Sequence, residues 1–299
     1  MTLRVLQFGT TGQLAREMLA RQDASIVVTA LSRAEVDLTD PAAVTRAVET
    51  AGDIDLVLNA AAYTAVDKAE SEADLAYAVN ARAPEALAKA CARRDAPLIH
   101  ISTDMVFDGE KVGAYVETDP TNPLHVYGAS KLAGEQAVLG SHDRAVVARV
   151  SWLFSAYGQN FLQAMLRLGA TQPVLRVVDD QRARPTASGD VAAFLLSQAA
   201  RLARAPRGAD EWGLLHLVNS GAASRYEMAH AIFALAWPHR EPPKIEPVPT
   251  SAFPTPAKRA LNGVLDTTRL QRVFGLQLRP WEEALEDVIA ELAPAEVNA

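Results

Sequence analysis

The sequence predicts an α/β protein built on a doubly wound parallel sheet, with a smaller, mostly C-terminal α/β domain. The first observation is that strand-like apolar runs alternate with helical periodicity over the first 150 residues. The second is that some of these strands are almost continuously apolar, as in residues 55–59, which indicates burial on both faces. With 299 residues, 49% of them hydrophobic, the chain can bury a large core.

The net charge, the cysteine content and the length of the apolar stretches exclude several classes of binding partner. The net charge of −7 argues against a nucleic-acid-binding protein, which usually carries a basic surface. Cys91 is the single cysteine, so we expect no disulfide within the chain and no cysteine metal cluster, but a small buried side chain. We expect a cytoplasmic protein without a membrane partner, because residue 1 leads directly into a strand and no apolar stretch is long enough to cross a bilayer.

A glycine turn follows the first strand, residues 3–8. Its sequence is Gly9-Thr10-Thr11-Gly12-Gln13-Leu14-Ala15, and apolar residues then recur at helical spacing up to Leu19. Glycines permit a tight turn and let a diphosphate approach the helix N-terminus, so the stretch predicts a dinucleotide site. The alternative is an ordinary strand-to-helix turn.

The next two strands end in residues that suit the same ligand. Residues 26–31 end in Ser32 and Arg33, whose hydroxyl and guanidinium suit a 2′-phosphate and favour NADP; a solvated surface arginine is the alternative. Asp37 and Leu38 are expected near the adenine. Residues 55–59 lead into small residues from Ala60 onward, which leave room for a cofactor. A helix is expected from about 72 to 94, with a proline at 84 near its start or at a kink.

The candidate catalytic groups follow the fourth strand, residues 97–101. Thr103 lies at the strand end, where its hydroxyl can hydrogen-bond a substrate oxygen or simply cap a turn. A loop from 106 to 123 can cover the site, and a helix then carries Tyr127 and Lys131. Residues four apart share a helix face, and a cation beside a phenol lowers its pKa toward the working range. The pair therefore suits proton donation to the oxygen of a carbonyl group, which becomes negative as the carbonyl carbon receives hydride; an exposed packing pair is the alternative.

Beyond the next strand, residues 145–150, the alternation loosens. Helices are expected near 160–168, 190–204, 225–237, 267–274 and 280–292, with strands at 174–178 and 214–218. Prolines between 238 and 256 exclude a regular helix, and the apolar residues among them suggest a wall or lid of the site. We expect residues 1–150, with returning segments near 172–218, to form the first domain and residues 151–299 to form most of the second.

These residues together resemble the extended short-chain dehydrogenase/reductase family and, within it, the family of dTDP-4-dehydrorhamnose reductases. The resemblance covers nearly the whole chain. It is carried by residues 9–14, 59–70, 102–104, 106–109, 122–131, 149–152, 180–181, 185–186 and 248–256.

The resemblance implies a Rossmann-type fold and NADPH-dependent reduction of the C4 ketone of dTDP-4-dehydro-L-rhamnose to dTDP-L-rhamnose, with NADH as a possible donor. Tyr127 is implied as the proton donor, assisted by Lys131 and Thr103. The expected cofactor-binding residues are Gly9, Thr11, Gly12, Gln13, Leu14, Ser32, Arg33, Asp37, Leu38, Ala60, Ala61, Tyr63, Tyr127 and Lys131. The expected substrate-binding residues are Thr103, Asp104, Met105, Val106, Trp152, Arg259 and Asn262.

The chain departs from that family at several positions. Met105 stands where an aromatic residue is usual, and the segment 182–184 replaces a tyrosine-glycine. Some members dimerise through magnesium; Glu17 matches one ligand, but the counterpart near Asp190 is poorly matched, so no metal site is predicted. A monomer or a homodimer is expected. The alternatives are a reductase of another 4-keto-6-deoxy sugar nucleotide and a non-catalytic regulatory subunit of methionine adenosyltransferase, which the intact Tyr127 and Lys131 disfavour.

Overall fold

The computed structural model describes residues 2–296. The strands are β1 (Leu3–Phe8), β2 (Ile26–Leu31), β3 (Leu56–Asn59), β4 (Leu98–Thr103), β5 (Ala145–Val150), β6 (Leu153–Phe154), β7 (Val174–Val178), β8 (Arg182–Ala183), β9 (Thr186–Ala187), β10 (Gly213–His216), β11 (Asn219–Ser220), β12 (Ala223–Ser224), β13 (Lys244–Val248), β14 (Asn262–Gly263) and β15 (Leu278–Pro280). The helices are α1 (Gln13–Arg21), α2 (Pro41–Thr50), α3 (Val66–Ala69), α4 (Ala73–Tyr77), α5 (Ala83–Arg93), α6 (Val126–Ser141), α7 (Phe161–Gly169), α8 (Ser188–Arg204), α9 (Arg225–Ala236), α10 (Thr268–Phe274) and α11 (Trp281–Glu296).

Six parallel strands form the central sheet in the order β10-β5-β4-β3-β1-β2. The order reverses at β1, which pairs with β2 on one side and β3 on the other. In such sheets the ligand crevice lies outside the carboxyl ends of the strands at this switch point. The arrangement confirms the doubly wound parallel sheet and brings the ends of β1, β2 and β3 to one edge.

Helices cover both faces of the sheet. Helices α1, α8 and α10 pack on one face, where Leu14, Met18, Val191, Leu195 and Leu270 are buried. On the other face α2, α5 and α6 bury Val44, Val48, Leu87, Cys91 and Val138. Because the apolar stripes of these helices cover both faces of the sheet, side chains on both sides of each strand are buried. This burial explains the continuous apolar runs in the sequence. The expected burial of Cys91 is confirmed, since its side chain is fully enclosed.

A separate core lies in the second half of the chain. Strands β7 and β13 pair in parallel, and α7, α9 and α11 pack beside them. Of the segments near 172–218 that were expected to return to the first sheet, α8 and β10 do so, but β7 does not. Its alternating burial fits a two-stranded ribbon with one solvated face. The division into two domains stays a prediction.

Three local features differ from the expectations. Helix α2 was not predicted, although Asp40 caps it through the Ala42 amide and Pro41 begins it. The helix expected over 72–94 is interrupted by a π-helical turn, Ala78–Arg82, after which Pro84 occupies the first turn of α5. The proline-rich segment forms no α-helix, as expected, but it contains the strand β13, which was not predicted. None of the helices in the described residues has the length and apolar character needed to cross a membrane.

Candidate active site

A cavity of about 720 Å³ opens at the switch point of the sheet. It is lined by ten of the expected cofactor residues: Gly9, Thr11, Gly12, Ser32, Arg33, Asp37, Leu38, Ala60, Ala61 and Tyr63. Gly9 has φ +101°, and a side chain there would meet Ala61 at 3.2 Å, so this turn requires glycine. No side chain caps α1, and its first turn carries no acidic residue, which leaves backbone amides for an anion. The cavity therefore fits the diphosphate of a dinucleotide.

The expected 2′-phosphate position contains an acidic neighbour that the sequence analysis missed. The Ser32 amide and hydroxyl both donate to Glu35 Oε2, each at 2.7 Å. These bonds hold the pKa of Glu35 below its usual range, so the carboxylate is charged at neutral pH. Arg33 lines the same cavity and offers the opposite charge. A 2′-phosphate can therefore bind Arg33 but has to compete with Glu35 for Ser32.

Asn80 ties this cavity to the helix that carries the tyrosine. Its side chain lies in the π-helical turn, donates to the Tyr63 carbonyl and the Ser130 hydroxyl at 3.0 Å each, and accepts from the Tyr63 amide at 2.9 Å. Such turns redirect one side chain within a helix and are frequent at functional sites. Asn80 is thus a positioning residue that sequence periodicity alone could not reveal.

Helix α6 approaches β4 closely because of Gly128. A side chain at Gly128 would lie 2.3 Å from the Met105 carbonyl oxygen, which no packing change can absorb. His125 caps the helix by accepting from the Gly128 amide at 3.0 Å. The result is that Tyr127 and Lys131 face inward, with exposed fractions of 9% and 1%. The alternative of an exposed packing pair is wrong.

The phenol of Tyr127 is held in its protonated form. Burial raises its pKa above the usual value, the carboxylate of Asp104 raises it further, and a hydrogen bond with Thr103 opposes the rise. The expected lowering by Lys131 is absent, because the Lys131 ammonium donates to the Ile101 carbonyl at 2.7 Å. In this arrangement the Tyr127 phenol keeps its proton, and Lys131 does not lower the pKa of the phenol.

Lys131 itself is strongly perturbed. Burial lowers its pKa to about 8, and the carboxylate of Glu135, one turn further along α6, opposes this change. His100 Nε2 lies 3.4 Å from the ammonium, and burial keeps the imidazole neutral by lowering its pKa well below the usual value. The His100 Nδ1 atom lies 3.0 Å from the Asn59 side-chain amide. Lys131 is therefore a buried cation that loses its proton near pH 8.

Thr103 and Asp104 form a polar cluster beside the phenol. The Thr103 hydroxyl donates to Asp104 Oδ1 at 2.9 Å, and Ser151 donates to Asp104 Oδ2 at 2.7 Å. Burial raises the pKa of Asp104, while these two bonds oppose the rise. Thr103 also accepts from the Met105 amide at 3.2 Å, so it caps the following turn as well. Its hydroxyl can turn to a reacting oxygen only by leaving Asp104.

A second, smaller cavity adjoins this cluster. It is lined by Asp104, Met105, His125, Trp152, Gln181, Arg182, Ala183, Arg225, Arg259, Ala260 and Gly263. Four of the expected substrate residues, Asp104, Met105, Trp152 and Arg259, are thus brought together. Arg259 also pairs with Asp67 at 2.8 Å, which links the C-terminal half to α3. Arg225 was missed, because nothing in its sequence context places it next to the site.

The remaining expected residues point elsewhere. The Leu14 side chain lies in the first core, so only its backbone can reach a cofactor, and the Gln13 side chain bonds to Ser155 and Asn160. Val106 is fully buried in a cluster with Phe107, which excludes side-chain contact with substrate. The Asn262 amide donates to the carbonyls of Lys111 at 2.8 Å and Gly113 at 2.7 Å and holds their loop. A role in substrate binding stays a prediction for both Val106 and Asn262, and for Val106 only the backbone is left to make the contact.

The residues near Glu17 do not fit magnesium. Its carboxylate pairs with the Arg21 guanidinium, and Asp190 pairs with Arg279 at 3.0 Å. A guanidinium next to each carboxylate takes the charge that a divalent ion would neutralise. Within residues 2–296 no group of three acidic, histidine or cysteine side chains is placed to hold a metal ion.

The glycine turn, the switch-point cavity and the buried Tyr127 and Lys131 define a dinucleotide-binding protein of the doubly wound class. Comparisons with known proteins refine this class. Residues 3–293 match the family model described as the RmlD substrate binding domain. The dTDP-4-dehydrorhamnose reductase of Burkholderia thailandensis is 41% identical over 300 residues, which cover 97% of this chain and 99% of that protein. The one from Aggregatibacter actinomycetemcomitans is 38% identical over 292 residues, covering 96% and 98%.

Solved structures agree with these relatives. The dTDP-4-dehydrorhamnose reductase of Clostridium acetobutylicum superposes with a TM-score of 0.90 at 34% identity, covering 97% of this chain and 100% of that one. The enzyme from Bacillus anthracis, in complex with NADP, gives a TM-score of 0.88 at 32% identity with the same coverage. The chain therefore belongs to the family of dTDP-4-dehydrorhamnose reductases, which confirms the resemblance found in the sequence.

Proposed function

We propose that the protein reduces the C4 ketone of dTDP-4-dehydro-L-rhamnose to dTDP-L-rhamnose with NADPH. When bound, NADPH supplies the hydride. The observation that carries the proposal is the convergence of two features at one edge of the sheet. One is the glycine-turn cavity; the other is the buried group of Tyr127, Lys131 and Thr103.

Tyr127 acts as the proton donor to the oxygen at C4. Its raised pKa keeps the phenol protonated before the reaction, which is the state a donor requires. An alkoxide is a far stronger base than a phenolate, so the proton moves once negative charge develops on the sugar oxygen. Thr103 supports this step by turning its hydroxyl from Asp104 to the same oxygen.

Lys131 acts as the cation of the site. Below about pH 8 it is an ammonium, since burial sets its pKa there. Its bond to the Ile101 carbonyl keeps it at the base of the crevice, where its remaining N–H donors can hold a ribose hydroxyl. The same charge stabilises the phenolate that Tyr127 becomes after donating its proton.

The cofactor site binds NADPH and can also accept NADH as the hydride donor. The amides at the start of α1 and the turn at Gly9 and Gly12 hold the diphosphate. Arg33 attracts a 2′-phosphate, whereas the Glu35 carboxylate repels it and occupies Ser32. These opposed charges reduce the preference between the two nucleotides.

Part of the sugar nucleotide lies against Met105, Trp152 and Arg259 in the second cavity, whose volume of about 60 Å³ is too small for the whole molecule. A second candidate function is reduction of another 4-keto-6-deoxy sugar nucleotide. It is favoured by one observation: the flexible Met105 side chain lines the cavity where the family usually has an aromatic residue. The reacting groups are the same for both substrates. The shape of the cavity at Met105 determines which sugar is accepted.

The Tyr127→Phe variant tests the catalytic assignment. It removes the donor hydroxyl and keeps the ring that packs against Ala69 and Ala76, so NADPH binding should persist while turnover falls by at least about a thousandfold. Tyr77→Phe, on the partly exposed surface of α4, is the matched control and should keep full activity. Retained turnover in Tyr127→Phe contradicts the assignment.

A further inference from the structure

Arg225 is an arginine without a carboxylate partner in a cavity that holds three arginines. Arg259 pairs with Asp67 at 2.8 Å, and Arg182 pairs with Glu227 at 3.0 Å. The guanidinium of Arg225 makes no ion pair and no hydrogen bond with the side chains described for residues 2–292, although the nearby Asp104 carboxylate favours its charged form. The guanidinium is nevertheless partly buried, and burial lowers its pKa to about 9. Its nitrogen atoms are not among the buried side-chain atoms that lack a partner, so water still reaches them, and a ligand that replaces this water has to supply hydrogen-bond acceptors.

The guanidinium is held in a fixed orientation. Its central carbon lies 3.5 Å from the ring centroid of Trp152 and 4.8 Å from that of Phe161. An arginine that stacks on an aromatic ring keeps its N–H groups free along the edge of the guanidinium plane. That edge is available to a ligand in the cavity lined by Arg225 and Trp152.

The backbone on both sides of this stack is also fixed. Trp152 has φ +43°, a left-handed conformation that a bulky residue rarely adopts and that concentrates at binding sites. Arg225 begins α9 directly after the capping box formed by Ser224 and Glu227. A strained tryptophan and a capped helix start thus set the position of one unpaired arginine.

The charged residues that line the cavity indicate the charge of the ligand. Arg182, Arg225 and Arg259 line it, and Asp104 is the carboxylate among the lining residues. Asp104 already accepts bonds from Thr103 and Ser151. His125 adds no positive charge, because burial lowers its pKa. Because Arg182 and Arg259 are already paired with Glu227 and Asp67, the positive charge left for a ligand is that of Arg225. It suits an anionic oxygen group such as one phosphate of a diphosphate, and the second phosphate has to compete with Asp67 for Arg259.

We propose that Arg225, with Arg259, binds the diphosphate of the sugar nucleotide, with the Arg225 guanidinium edge donating two hydrogen bonds to phosphate oxygens. This assignment rests on the proposed function, since it takes the substrate to be a nucleoside diphosphate sugar. It makes Arg225 a specificity-determining residue that separates nucleoside diphosphates from nucleosides.

The test compares dTDP with thymidine, which lacks the phosphates. Their dissociation constants are measured by calorimetry on the full chain and on Arg225→Gln. The ratio of the thymidine constant to the dTDP constant should fall about tenfold to a hundredfold in the variant, as expected for a lost charge-assisted bidentate pair. Arg240→Gln is the matched control, since Arg240 stacks on Trp237 at 4.3 Å and is exposed. It removes the same charge and should leave the ratio unchanged.

The ratio of the two dissociation constants distinguishes a role of Arg225 in phosphate binding from a purely structural role. If Arg225 only supports Trp152 and Phe161, dTDP and thymidine weaken together, the ratio stays constant and the proposal is overturned. The proposal also fails if the wild-type protein binds both ligands equally. The same measurement with UDP and uridine covers another base. A ratio that falls in Arg225→Gln while dTDP-4-dehydro-L-rhamnose is not reduced upholds the phosphate site and rejects only the proposed substrate.

Discussion

Replacing Arg149 with methionine should destabilise the protein strongly, because it leaves a buried carboxylate without its partner. Glu135 lies on α6 one turn beyond Lys131, and both members of the pair have side chains that are 2% exposed. Arg149 donates to Glu135 Oε1 at 2.9 Å and to Oε2 at 2.7 Å. Ser102 adds a third bond to Glu135 at 2.5 Å. The pair therefore fixes the catalytic helix to β4 and β5.

The magnitude follows from counting these bonds. In Arg149→Met the Glu135 carboxylate keeps one of its three hydrogen bonds, and an uncompensated buried charge costs about 3–5 kcal/mol. The double variant Arg149→Met/Glu135→Leu removes both charges and leaves the Ser102 hydroxyl without its acceptor, at about 1 kcal/mol. The bond from Arg149 to the Glu117 carbonyl, at 3.5 Å, is lost in both variants and does not affect the difference between them. The double variant should therefore be about 2–4 kcal/mol more stable than the single one.

Urea denaturation followed by tryptophan fluorescence measures these differences. A single variant less than about 1 kcal/mol below wild type, or a double variant no more stable than the single one, refutes the reasoning.

Three further changes test the site. Gly128→Ala should lower kcat/KM about a hundredfold, because its side chain meets the Met105 carbonyl and displaces the catalytic helix. The kcat/KM of the wild-type protein should fall as pH rises through about 8, since Lys131 has its pKa there and loses its charge above it. Glu35→Gln should increase the preference for NADPH over NADH by about fivefold, because about 1 kcal/mol of charge repulsion is removed. Steady-state kinetics measures all three.

Two of these tests have a control variant. Gly140→Ala lies on the same helix with nothing within 4 Å of the added carbon, and it should keep activity and gain about 0.5–1 kcal/mol of stability. Lys131→Arg keeps a cation with a higher intrinsic pKa than lysine, so any activity it retains should decline at a higher pH than in the wild-type protein. An alkaline decline at the same pH in Lys131→Arg as in the wild-type protein, full activity in Gly128→Ala, or an unchanged nucleotide preference in Glu35→Gln contradicts the respective explanation.

The central sheet could be predicted because its signals are local and repeated. The apolar runs of β1 to β5 are continuous, since helices cover both faces, and the helices between them show their own periodicity. Helix α2 was predictable from Asp40 and Pro41 but its weak apolar stripe, Val44 and Val48, was overlooked. Strand β13 was hidden because prolines exclude a helix without excluding the edge of a two-stranded ribbon.

The site residues could be predicted only where their positions follow from local features of the sequence, such as the end of a strand or the spacing along a helix. Thr103, Tyr127 and Lys131 follow from strand ends and helix spacing, and the structure brings them together. Arg225 could not be found in this way, because its position depends on contact with Trp152 and Phe161, which lie more than 60 residues away in sequence. Glu35 and Asn80 escaped for a related reason: their effect depends on which hydrogen bonds form after folding.

The most direct test of the proposed function is consumption of NADPH with dTDP-4-dehydro-L-rhamnose, generated in place from its precursor, with the product identified by NMR. We predict turnover that yields dTDP-L-rhamnose. Absence of turnover while NADPH still binds contradicts the proposed substrate and directs attention to other 4-keto-6-deoxy sugar nucleotides.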